Sequence, residues 1–149
     1  MSASDAFEAL LANLIFLNTN AANIGDATGL RGSSTAGSLY ISLHTADPGE
    51  TGNQSTNEIG YTSYARVAVA RSGAGFTVTG TAPTTVSNTA AVGFPASTGA
   101  NATATHFGIG TGSSGAGTLL LSGALTASYL TQTGIAPNFP IGALTATID

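Results

Sequence analysis

The 149-residue sequence has no cysteine, no lysine and no tryptophan, and only 7% of its residues are charged. Without cysteine there is no disulfide, no thiolate nucleophile and no zinc site built on Cys, and the redox compartment is left undetermined. The charged fraction compares with roughly 25% in an ordinary globular domain. Arg31, Arg66 and Arg71 are the only fixed cations, against a formal net charge of −4. Too few cations are present to neutralise a run of phosphates, which argues against a nucleic-acid groove and against binding to an anionic membrane. No run approaches the ~20 apolar residues of a bilayer-spanning helix. Residues 9–17 are apolar, but Asp5 and Glu8 sit at their head with no cation, the reverse of a secretory leader.

What is present is folded-protein composition. Some 42% of residues are hydrophobic, and polarity comes from Ser, Thr, Asn and Gly in place of charge. A disordered chain would show few hydrophobic residues and a high net charge. The length suits one domain with its own core. A neutral polar skin lowers colloidal repulsion and favours association, so it fits a protein packed against others.

Along the chain, residues 5–17 carry the one helical pattern: Phe7, Leu10, Leu11, Leu14 and Ile15 form an apolar stripe. Asp5 and Glu8 fit the start of that helix, where carboxylates accept free N–H groups. Residues 18–38 hold four glycines among Ser and Thr and read as a long loop. Residues 1–38 are thus expected to form an N-terminal helix and flexible arm, which either caps its own body or reaches a neighbouring subunit. Residues 39–149 are expected to form the β domain. In residues 39–49, Leu39, Ile41 and Leu43 alternate with Tyr40, Ser42 and His44 before Asp47-Pro48-Gly49 turns the chain. Further strands are expected at 64–71, 76–79, 84–87, 90–94, 103–109, 118–121, 128–131 and 143–148. The fold class is therefore all-β, a jelly-roll-like β-sandwich with one N-terminal amphipathic helix.

A search for chemistry finds no constellation. The glycine-rich stretch 110–117 lacks the Lys and following helix of a phosphate-binding loop and reads as a flexible hairpin connection. His44, Asp47 and His106 could meet around a metal only if their strands paired, and histidines in strands are far more often hydrogen-bonded than metal-bound. Glu50 and Glu58 lie in one polar loop, better suited to solvent or a partner than to glycoside hydrolysis. No catalytic, metal or cofactor site is assigned. Arg66 and Arg71 are each expected to pair with a carboxylate, most simply within the subunit. Candidate partner-contact residues are Phe7, Leu10, Leu11, Leu14, Arg31, Glu50 and Glu58.

Residues 39–52 (LYISLHTADPGETG), 64–76 (YARVAVARSGAGF) and 103–124 (TATHFGIGTGSSGAGTLLLSGA), with the ending at 134–149, resemble small virion structural proteins of tailed bacteriophages. That family includes capsid cement or decoration proteins and is often labelled tail-fibre-like. The resemblance implies a non-enzymatic protein assembled in the bacterial host. It would sit on the outer capsid surface, bridging major capsid subunits and neighbouring copies of itself as a dimer or trimer. The alternative it implies is a tail or tail-fibre component in host adhesion.

Overall fold

A computed structural model describes residues 3–80 and 83–148. It contains one helix, α1 (Asp5–Leu17), and nine strands: β1 (Ser38–His44), β2 (Val67–Ala70), β3 (Phe76–Thr79), β4 (Thr84–Asn88), β5 (Val92–Gly93), β6 (Ala102–Gly110), β7 (Leu119–Thr131), β8 (Asn138–Phe139) and β9 (Thr145–Ile148). The fold is mostly β, in sheets ordered β2-β1-β6-β7, β3-β4-β9 and β5-β8. Two compact units share these elements: residues 1–38, 70–91 and 140–149 make one, residues 39–69 and 92–139 the other. The chain passes from the first unit to the second after residue 38. The first unit, however, also gathers two later segments.

In the first unit α1 packs on β3 and β4. Ser4 caps the helix start, its hydroxyl accepting from the Phe7 N–H at 3.4 Å, which leaves Asp5 and Glu8 in the first turn near the positive helix end. Asn18 ends the helix in the left-handed region at φ 56°. Phe16 is 1% exposed and meets Phe76 edge to face at 5.2 Å between ring centroids. The buried face runs through Glu8, Ala12 and Phe16, not along the apolar stripe anticipated from the sequence. On an ideal helix Phe7, Leu10 and Leu14 lie about 140–160° from Ala12, so the small Ala12 takes the close approach and the bulky stripe is turned aside. The loop at 18–38 is held together: Asn18 and Ser33 exchange two hydrogen bonds at 2.7 and 2.8 Å, and Ala21 pairs with Leu30. Asn88, 1% exposed, donates to the carbonyls of Ala90 and Pro140 and accepts from the Leu144 N–H, joining the end of β4 to the run into β9.

The second unit is organised on the antiparallel β1–β6 pair, which sets Ile41 opposite Ile109, Leu43 opposite Phe107 and His44 opposite His106. Leu39, Ile41 and Leu43 are buried as the alternation requires. The other face is not solvated: Ser42 and His44 are 0% exposed as well. They can be buried because the Ser42 hydroxyl and His44 Nε2 lie 2.8 Å apart and satisfy each other. Tyr61, Tyr64, Phe94, Phe139 and Phe107 form a chain of aromatic contacts with centroid spacings of 5.3–6.2 Å. The sequence reading splits here in one place: the two strands expected at 118–121 and 128–131 are a single strand, β7. β7 pairs with β6 with shifts of register between Ala104 and His106 and between Ile109 and Gly110, so extra β7 residues, Leu120 and residues 125–128, bulge out on either side of the regular run 121–124. The strands expected at 64–71 and 90–94 shorten to Val67–Ala70 and Val92–Gly93.

Candidate functional site

The polar residues of the second unit converge on the glycine-rich hairpin. Arg66 donates from Nε and Nη2 to the two Glu58 carboxylate oxygens, both at 2.7 Å, and its side chain is only 2% exposed. The same guanidinium donates to the carbonyls of Gly112 (2.9 Å) and Gly115 (2.6 Å). Gln54, 0% exposed, accepts from the Gly112 N–H at 2.7 Å and donates to the Tyr40 carbonyl at 3.3 Å, while its own N–H donates to the Gly117 carbonyl. The stretch expected to be a flexible hairpin is therefore pinned by a bidentate ion pair and a buried amide. Glycine is required in it by contact: at Gly117 a Cβ would come within 2.5 Å of Gln54 Oε1. Tyr64 completes the cluster, its hydroxyl donating to Glu58 and accepting from the Leu43 N–H. Burial pushes its phenol pKa upward.

His44 is equally committed. Its Nδ1 lies 2.8 Å from the Thr56 carbonyl, which can only accept, so Nδ1 carries the proton and Nε2 accepts from Ser42. Both ring nitrogens are used, and burial lowers the imidazole pKa against the opposing pull of the Thr56 carbonyl and Glu58. His44 has no lone pair to offer a metal. Asp47 serves its turn, accepting from the Gly49 N–H at 2.9 Å, and Gly49 takes φ 71°. A cleft of about 480 Å³ brings Asp47, Glu50 and His106 to one place with Leu119–Gly123 of β7. Among the described residues no group of three or more His, Asp or Glu is arranged to hold a metal ion.

In the first unit Arg71 meets no carboxylate among the described residues, unlike the expected pairing within the subunit. It donates to the carbonyls of Ile15 (2.6 Å), Leu14 (2.9 Å) and Ala36 (3.1 Å) and to the Ser33 hydroxyl. The helix has no basic residue in its last turn, so Arg71 supplies from a distance the cation that the negative helix end favours.

The candidate partner-contact residues are scattered. Phe7 is 46% exposed, and Leu10, Leu11 and Leu14 are half-buried beside it on α1. Arg31 is exposed in the loop after α1, Glu50 is exposed at the cleft, and Glu58 is engaged by Arg66 and Tyr64. Sequence reasoning missed the other large apolar side chains left outward: Leu30 at 48%, Leu130 at 51%, Ile135 at 46% and Ile141 at 70%. No periodicity marks them, because all but Leu130 lie in connections.

A model of the family described as podophage GP4 fiber I protein gp80 matches residues 2–147, nearly the full chain. No curated protein matches it. A β-rich chain whose Arg66, Glu58, His44 and Arg71 hold the fold, and with apolar side chains turned outward, agrees with a family of virion structural proteins. The chain belongs to the podophage fiber I gp80 family, a family of tailed-phage virion structural proteins.

Proposed function

We propose that this protein is a non-enzymatic building block of the virion exterior that works by contact, with neighbouring virion proteins and with copies of itself. One observation carries the reading. The buried ionic pair, the buried imidazole and Arg71 are committed to holding the fold: Glu58 to Arg66, His44 to Ser42 and Thr56, Arg71 to the helix end. Large apolar side chains are left outward, Phe7, Leu30, Leu130, Ile135 and Ile141 among them. Such residues contribute to affinity only when a partner covers them. Phe7, Leu10, Leu11 and Leu14 form the contact face on the helix, with Arg31 and Glu50 as outlying polar contacts. In this reading no cofactor, nucleic acid or membrane takes part, in keeping with the scarcity of cations.

The description of the matching family supports a place in a fibre, and a fibre component would serve host adhesion. The low charge supports a second reading, capsid cement bridging major capsid subunits on the outer head surface with a jelly-roll-like sandwich. Identical copies placed side by side on a shell would repel one another if each were strongly charged. Copy number in purified virions separates the two: on the order of hundreds for a head protein, about a dozen or fewer for a fibre. Saturable binding to undecorated capsids with a raised disruption temperature supports cement, and its absence at micromolar protein removes that reading.

A further inference from the structure

β7 ends the four-stranded sheet, so only one of its two edges is paired, with β6. It is 13 residues long and runs beside the nine residues of β6, a span of about 30 Å at the rise of an extended chain. Among the described residues no main-chain or side-chain hydrogen bond from outside its own sheet reaches Leu119–Leu130. An uncovered edge is a template for another strand, and folded proteins blunt such edges with charge, proline, shortness or bulges. Here the strand LLLSGALTASYLT contains neither a charge nor a proline, and it is long. Bulging is the one device present. Two register irregularities leave residues 121–124 between them as a regular run, aligned with 106–109 of β6.

We propose that the free edge of β7, centred on residues 121–124, pairs antiparallel with the same edge of a second copy, joining two four-stranded sheets into one of eight strands. Three observations favour a second copy over an unrelated partner. A strand with no charged residue places no like charges opposite one another when it meets itself, the usual penalty of self-pairing. Antiparallel pairing of identical strands is what a two-fold axis produces, and every strand pair whose register is resolved in this protein is antiparallel. The half-buried Leu119, Leu120 and Leu121 lie within the paired stretch, opposite residues 126, 125 and 124 of the second copy, and gain cover from it. Ser122, Gly123 and Ala124 at the centre are small enough to let two sheets meet without collision.

The inference rests on the self-association in the proposed function and is independent of head or fibre placement. Sedimentation of the full chain over a range of concentrations, with hydrogen exchange followed at each, tests both. The expected result is a reversible dimer whose appearance slows exchange at amides of residues 119–124. Adding charge at two exposed positions, Ser122→Lys with Ala124→Lys, should weaken dimerisation by about tenfold or more while circular dichroism stays unchanged. Association without concentration-dependent protection of β7 overturns the edge pairing and leaves self-association standing. A chain that stays monomeric at ~100 μM, weaker than typical specific self-association, overturns both.

Discussion

The Arg66–Glu58 pair allows a prediction that separates an ion pair that organises a loop from one that only decorates a surface. Glu58→Gln removes the charge opposite a guanidinium whose side chain is 2% exposed, while Glu58 itself is 18% exposed. Breaking a fully buried pair costs about 3–5 kcal/mol, and exposed pairs contribute about 0–1 kcal/mol. With one partner buried and the other near the surface, Glu58→Gln should cost about 2–3 kcal/mol. Arg66→Met strips the Gly112 and Gly115 carbonyls of their donor as well, and should cost about 3–4 kcal/mol. The double variant leaves no uncompensated charge, so its cost should fall short of the sum by about 2 kcal/mol. Urea unfolding of the four proteins measures the cycle. Hydrogen exchange at residues 111–117 locates the effect, with Arg66→Met opening the hairpin most. Additivity within ~0.5 kcal/mol, or an unchanged exchange rate in the hairpin, would refute the claim that this pair pins the loop.

Other perturbations probe the rest of the structure. The His44 pKa is lowered on folding, so as pH falls through about 6.5 the unfolded chain binds a proton that the folded chain does not. Stability should therefore fall with pH below that point and level off beneath the folded pKa, and His44→Gln should flatten the dependence of the urea midpoint between pH 7.5 and 5. Gly108→Ala should destabilise by about 1–3 kcal/mol in thermal unfolding, because the new Cβ would meet His44 Nε2 and Ser42 Oγ at 2.7 Å and Leu119 Cδ1 at 2.8 Å. Arg71→Met should cost about 1–2 kcal/mol through the exposed helix end. It should speed exchange in the last turn of α1 while leaving β6 unaffected. An equal effect in both units would show that Arg71 does more than hold the helix.

Local chemistry made much of this fold legible. The helix bounds follow from a run of strong helix formers ending at Asn18, and the turn at Asp47-Pro48-Gly49 follows from three residues each suited to it. β1, β3 and β4 follow from period-two alternation closed by Gly or Asn, and β6 from an apolar run between polar loops. β7 was not legible as one strand, since Ser122 and Gly123 have the composition of a turn and only pairing with Gly108 and Phe107 of β6 keeps them extended. The absence of any catalytic constellation and the scarcity of cations were compositional facts, and they bounded the function before any coordinate.

Tertiary structure decided the pairings and the exposures. Arg66 could be assigned a carboxylate from scarcity of charge, but its hold on Gly112 and Gly115, more than forty residues away, needs the chain folded back. Arg71 turned to carbonyls because the fold brings the end of α1 within reach of its guanidinium. The apolar stripe of α1 predicted a buried face, yet the sheet takes Ala12 and Phe16, and Phe7 remains outside. A periodic pattern states which residues share a face; it does not state which face the sheet receives, because that depends on how closely two backbones can approach. The same holds for β7: its lack of charge is written in the sequence, but that lack matters only because the fold places the strand at a free edge.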